Sequence, residues 1–348
     1  MPSVARLRKG VRRRLGRVLR PGSATARKPA PPPAAVDQPS RLDVRRAFVF
    51  RTARRDGTVL EIGPAHNAIL PKRDGFRTKT VDYLDRDGLV EKYRSFTQYD
   101  PNDIEEVDYV IGVGEPMTNA IRDRFDLVLA SHVLEHSLSV IDFINDCTSL
   151  LASGGVVSLI VPDHRYTFDR FRERSSIGRV IDAADADEGR RRTHSVGTLA
   201  EFTLNAVKHR GATSWAAGHR GEYRFVHSPD EVRENIERAR GPEYIDVHNW
   251  VFSPNHLRLL LEDLHGLGLI SVREAAFQDT IGHEFFLNLT LDGPGPGLSR
   301  EALIVLGDDE RTGMDHPVFE GSGEPAVSTA TAATANGVAG GSTPEPGR

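Results

Sequence analysis

Thr58-Val-Leu-Glu-Ile-Gly-Pro-Ala-His-Asn67 constrains this chain more than any other stretch. Its apolar start reads as a short buried strand and Gly63-Pro64 as a sharp turn. Thr80-Val-Asp82-Tyr-Leu84 follows about twenty residues after Glu61, the spacing at which nucleotide-binding α/β folds place a ribose-binding carboxylate. A crevice for a nucleotide-like cofactor is the first expectation.

The stretches that follow alternate. Strands are predicted at Val59–Ile62, Lys79–Tyr83, Val107–Ile111, Phe125–Ala130 and Val156–Val161. The fourth is a near-continuous apolar run, as a parallel sheet buried on both faces requires. Asp85–Tyr93 reads as a polar connection. Between the fourth and fifth strands, Val140, Ile141, Ile144, Cys147, Leu150 and Leu151 keep a 3.6-residue period, so a helix is expected over Ser139–Leu151, stopped by Ser153-Gly154-Gly155. A further helix is expected over Leu42–Arg54. Residues 163–249 are rich in Arg, His, Asp and Gly and hold no strong period. Order resumes at Ser253-Pro254, an N-cap followed by proline at the first helical position, with the helix carried by Leu257–Leu264. Leu269–Arg273 and Glu284–Leu291 read as an antiparallel edge pair. The fold class is therefore α/β: a doubly wound Rossmann-like sheet, mostly parallel, with an antiparallel edge pair and a cap insertion after strand five.

Composition bounds the alternatives. One cysteine, Cys147, excludes an internal disulfide and a cysteine metal cluster, and suits a cytoplasmic setting. A net charge of -4 makes no global case for nucleic acid. Residues 1–40 form a basic arm and a Pro/Ala linker expected to be disordered. Within the arm, Leu7, Val11, Leu15, Val18 and Leu19 fall at helical spacing among cations, so peripheral contact with an anionic membrane is one reading and a solvated arm the other. Residues 312–348 read as a disordered tail. The folded domain is placed at 41–311, with its cap at about 163–249.

Four stretches carry a family resemblance: Val59-Leu-Glu-Ile-Gly63, Val81-Asp82-Tyr83, Phe125-Asp-Leu-Val-Leu-Ala-Ser-His-Val-Leu-Glu-His136, and Leu151-Ala-Ser-Gly-Gly-Val156. With them the chain resembles the class I S-adenosylmethionine-dependent methyltransferases, well over residues 57–161 and by topology over 250–291. More narrowly, Val161-Pro-Asp-His-Arg-Tyr-Thr-Phe-Asp169 and Val247-His-Asn-Trp-Val-Phe-Ser-Pro254 resemble methyltransferases found with glycosyltransferases in bacterial surface-polysaccharide systems. The resemblance implies S-adenosyl-L-methionine as cofactor and a saccharide or other small hydroxylated acceptor.

Roles follow for particular residues. Glu61, ending strand one, can order the turn or meet the cofactor's ammonium; its competing reading is a capping acid. Gly63 lets backbone approach the ligand. Asp82 can accept both ribose hydroxyls. Asp108 and the stretch to Gly114 would border the adenine, and Ser131 and His132 would line the crevice below the methionine end. The loop departs from the family's acid-x-Gly-x-Gly-x-Gly: only the first glycine is kept, and Pro64 fixes a torsion and removes a donor. That departure argues against a pyrophosphate-binding fold, which needs free amides at a helix start. His136, Asp163 and His164 are the candidates for removing a hydroxyl proton. Two alternatives stand beside this reading. In one, His132-x-x-Glu135-His136 forms a zinc-hydrolase helix. In the other, the fold survives as a non-catalytic scaffold. No metal is expected from the remaining histidines, which lack tight spacing.

Overall fold

The structure, a computed structural model, describes residues 39–95, 100–186, 195–241 and 244–321. The basic arm, most of the linker and the tail beyond 321 lie outside the described residues. Seven strands form the main sheet: β1 (Thr58–Ile62), β2 (Arg77–Asp82), β3 (Tyr109–Val110), β4 (Phe125–Ser131), β5 (Leu151–Pro162), β8 (Arg273–Ile281) and β9 (Glu284–Thr290). Their order is β3-β2-β1-β4-β5-β9-β8, parallel through β5 and antiparallel beyond it. The chain reverses direction of travel between β1 and β4, which opens a crevice at the carboxyl ends of those strands.

Alternation along each strand separates two apolar layers. Leu60, Val128, Val157, Leu159, Phe285 and Leu287 face helices α3 (Val140–Ser149) and α7 (Pro254–Gly266). Val59, Leu127, Leu129, Ile160 and Phe286 face α1 (Arg41–Val49) with Ile69 and Leu70. Asn288 is buried on this second face, and its amide donates to the carbonyls of Phe48 and Val49 at the end of α1. These bonds add to those the same carbonyls accept from the Arg51 and Ala53 amides, and they tie α1 to β9.

Several local expectations are corrected. Asp85–Tyr93 is helix α2 (Arg86–Tyr93), because Asp85 accepts from the Gly88 amide as an N-cap. Ser253 makes no side-chain cap; its hydroxyl donates instead to Glu310 at 2.6 Å. Helix α3 ends at Ser149, and β5 already runs through Ser153-Gly154-Gly155 beside a register shift against β4. The strand expected at Leu269–Arg273 begins at Arg273. The insertion is not featureless. It holds α4 (Ile177–Ala184), α5 (Val196–Asn205), α6 (Pro229–Arg238) and a hairpin of β6 (Val207–His209) with β7 (Tyr223–Phe225). A last helix, α8 (Arg300–Thr312), packs on α7, and past it the Tyr223 amide donates to the Val318 carbonyl at 2.8 Å. Residues 313–320, placed in the tail by composition, are thus fastened to the cap.

Candidate active site

A cavity of about 450 Å³ lies at the carboxyl ends of β1 to β4. Gly63 follows β1, Asp82 and Tyr83 close β2, Ile111–Met117 follows β3, and Val133 with His136–Ser139 leaves β4. Gly63 has φ +58°, and a Cβ there would come within 3.2 Å of Val133 Cγ2. Glycine is therefore needed for both the torsion and the approach. The loop after β3 is held by Asp146 on α3, which accepts from the amides of Met117 (2.5 Å) and Thr118 (3.3 Å).

Asp82 accepts from the Tyr83 amide at 2.8 Å. Burial pushes its carboxyl up to about 6, against the pull of the Tyr83 amide and the Lys92 charge. Lys92 itself is committed to Asp246, 2.7 Å away, and stacks over the Tyr83 ring. Asp246 also lies 2.8 Å from His136 Nδ1. Burial opposes charge on Asp246, but His136 and Lys92 outweigh it and hold the carboxyl well below its ordinary range. Burial likewise opposes a charged His136, and the Asp246 carboxylate outweighs it, so the imidazole sits above its ordinary value.

The structure brings together Gly63, Asp82 and His136, and moves the other expected residues elsewhere. Glu61 is 1% exposed and absent from the cavity wall. On its short strand it faces the α1 layer, and it accepts from the Ile69 (2.6 Å) and Leu70 (3.1 Å) amides. It orders the turn and does not meet a cofactor ammonium. Pro64 and Ala65 line a separate hollow of about 10 Å³ on the far side of the turn. No α-helix follows this turn before β2; the segment holds a single 3₁₀ turn, Lys72–Asp74. Asp108 accepts from the Thr80 amide and pairs with Lys72, fastening β2 to the β3 approach. Ser131 ends β4 outside the wall, and His132 turns away to Glu284, its Nε2 at 2.9 Å. Asp163 is fully buried, bound by Arg165 and by the Thr280 hydroxyl at 2.6 Å. His164 is buried beside it, and burial lowers its imidazole to about 4. Neither reaches the cavity.

The zinc-hydrolase arrangement is also absent. His132 has φ +55° at the strand exit, and Leu134–His136 is one 3₁₀ turn. The two histidines therefore do not share a helix face, and they fall in different side-chain clusters. Sequence reasoning missed Lys92 and Asp246, which only their charge marked, and charge is common on solvated loops; Asp169 stood at the end of a family-resembling stretch without a role.

The turn carries its own prediction. Burial raises the Glu61 carboxyl from 4.5 to about 7, against the two amides it accepts. Folding thus favours the protonated form. That stabilisation is complete below 4.5 and is lost as pH rises through about 7. Denaturant melts from pH 5 to 8 should show wild-type stability falling by roughly 3 kcal/mol, since each tenfold change in proton affinity is worth about 1.4 kcal/mol. Glu61→Gln should be flatter over that window; an equally steep fall in the variant assigns the slope to another group.

A family model described as methyltransferase domain matches residues 37–271. No curated protein matches the sequence. Among solved structures, the chain is similar to the CcbJ methyltransferase from Streptomyces caelestis, with 24% identity over 37% of this chain and 54% of that one, and a TM-score of 0.26. It is also similar to the glycopeptide N-methyltransferase MtfA complexed with sinefungin, at 12% identity over 76% of this chain and 100% of that one, with a TM-score of 0.36. A Rhodobacter sphaeroides protein described as a zinc-dependent alcohol dehydrogenase aligns at 14% identity over 73% of this chain and 90% of that one, with a TM-score of 0.40. The chain spans about half the length of CcbJ. These TM-scores are low, and the family match alone carries the assignment. With that match covering most of the chain, and a crevice at the carboxyl ends of a sheet ordered β3-β2-β1-β4-β5-β9-β8, this protein belongs to the methyltransferase-domain family.

Proposed function

We propose that this protein is an S-adenosylmethionine-dependent methyltransferase acting on a saccharide or other small hydroxylated acceptor. The observation that carries the cofactor is Asp82: a largely desolvated carboxylate at the end of β2, on the wall of a cavity large enough for a nucleoside. It can accept two ribose hydroxyls. The rest of the wall fits the same group. Ile62, Ile111 and Val133 offer apolar surface for a base and a thioether, and Gly63 leaves open the space a Cβ would take. When bound, S-adenosylmethionine supplies an activated methyl group.

The chain's own residues supply position and proton handling. Of the three base candidates, His136 alone borders the cavity, and the Asp246 carboxylate lies 2.8 Å from its Nδ1. On this reading its ring takes the proton of a hydroxyl bound in the cavity. The likeness of residues 161–169 and 247–254 to methyltransferases of surface-polysaccharide systems supports a sugar as that acceptor. Calorimetry should give S-adenosylmethionine binding in the micromolar range. A methyl-transfer assay over nucleotide sugars and oligosaccharides, read on the demethylated cofactor, should find turnover. Binding without turnover on any hydroxylated acceptor sinks the acceptor class, and absence of binding sinks the cofactor.

A further inference from the structure

Glu135 leaves β4 into the interior of the protein. It is fully buried, and neither carboxylate oxygen has a hydrogen-bond partner. A carboxylate in that condition is costly unless a cation joins it. What faces it is imidazole: His132 Nδ1 at 3.6 Å and His248 Nε2 at 3.9 Å from Oε1. One ring nitrogen each from His136 and His248, with one Glu135 oxygen, all lie within 4.8 Å of one another. Each of these two rings has a second acid beside it. Asp169 takes Nδ1 of His248, and Asp246 lies beside Nδ1 of His136. Such outer carboxylates are the usual way in which a histidine is fixed as a metal ligand. The cations nearby are committed elsewhere, Lys92 to Asp246 and Arg172 to Asp169.

We infer that Glu135, His136 and His248 form a binding site for a divalent first-row cation, with two imidazoles and one carboxylate as ligands. Donors around 2.0–2.2 Å from such an ion stand about 3.3 Å apart, so small side-chain rotations close the site. A second group, His132, His283 and Glu284, has the same composition and does not qualify. Arg41 and Arg45 already pair with Glu284, and Arg41 reaches His283 Nε2 at 2.7 Å. Two guanidiniums there repel an incoming cation.

The chosen site has an outlet toward the cavity, since His136 lines it. A hydroxyl brought to the metal releases its proton to solvent at lower pH than a free one. Only that use rests on the methyltransferase reading; the ligand set does not. With metal bound, His136 is a ligand and the proton passes to solvent; without it, the imidazole is the base of the reading above.

Full-length protein titrated with Co²⁺ should develop visible absorption bands to one equivalent, and Zn²⁺ should displace them. Glu135→Gln and His248→Gln should each weaken binding by at least about tenfold, while His283→Gln leaves it unchanged. Circular dichroism melts report whether each variant folds, and His136→Gln gives a third reading if either fails. The proposal is overturned if the folded wild type binds no metal. It is equally overturned if folded Glu135→Gln and His248→Gln bind as tightly as wild type. Calorimetry with S-adenosylmethionine is run separately: a missing heat there removes the cofactor and leaves the metal site standing.

Discussion

Asp82→Ala should lower affinity for S-adenosylmethionine by roughly 100- to 1,000-fold while leaving the protein folded. Hydrogen bonds to a charged acceptor are worth about 1.5–3 kcal/mol each, and a ribose offers two. Two together come to about 3–6 kcal/mol, and the lower part of that range, about 3–4 kcal/mol, sets the expected drop, since each 1.4 kcal/mol is tenfold in a dissociation constant. The substitution spares the fold because the carboxylate sits on the cavity wall and accepts from the Tyr83 amide next to it in the chain, while Lys92, whose charge acts on it, keeps its own partner in Asp246. Its burial also makes a pH prediction. The free carboxyl is pushed up to about 6, and two hydroxyl donors favour the ionised form. Wild-type affinity should therefore weaken as pH falls below about 6. Asp82→Asn, which cannot titrate, should lose that dependence. Unchanged affinity in Asp82→Ala would falsify the ribose assignment.

Trp250→Ala should cost about 3–5 kcal/mol of stability, the range for emptying a buried aromatic site. The indole is 1% exposed, its Nε1 donates to the Ser137 carbonyl at 2.7 Å, and the Arg179 guanidinium lies 5.2 Å from its ring. Truncation leaves a cavity and removes the shorter of two hydrogen bonds to the Ser137 carbonyl, to which the Asn249 side-chain amide also donates at 3.2 Å. The effect should reach the site, because the amides of Asn249 and Trp250 both donate to the Glu135 carbonyl, at 2.7 and 3.0 Å. This segment, from late in the chain, thus clamps the β4 exit that lines the cavity. Urea melts should show the loss, with Trp250→Phe intermediate because it keeps most of the ring and drops the donor. A loss below about 1 kcal/mol would place Trp250 outside the clamp, since ordinary surface substitutions fall within about 0.5 kcal/mol.

The parallel core was readable because its strands are buried on both faces, and so appear as apolar runs. Asp82 was readable because it ends a strand at a spacing that the sheet itself enforces. Glu61 shows the limit of that reasoning. Neighbours on a strand face opposite ways, so Ile62 and Gly63 meet the cavity while Glu61 turns to the α1 layer and caps Ile69 and Leu70. His132 shows another limit, since one left-handed residue at the end of β4 sends its ring to Glu284 and away from the wall.

The cap was opaque for a different reason. Its helices α4, α5 and α6 are short, and their existence depends on Ser176, Ser195 and Ser228 as side-chain caps more than on a long apolar period. By itself, then, the sequence determined the sheet class, the crevice and the acid that ends β2, since burial and strand period act over neighbouring residues. Only the tertiary structure decided what stands beside the crevice. Glu135 and His136 leave β4, while Asp169, Asp246 and His248 arrive on the insertion, and no local pattern encodes which of these side chains meet.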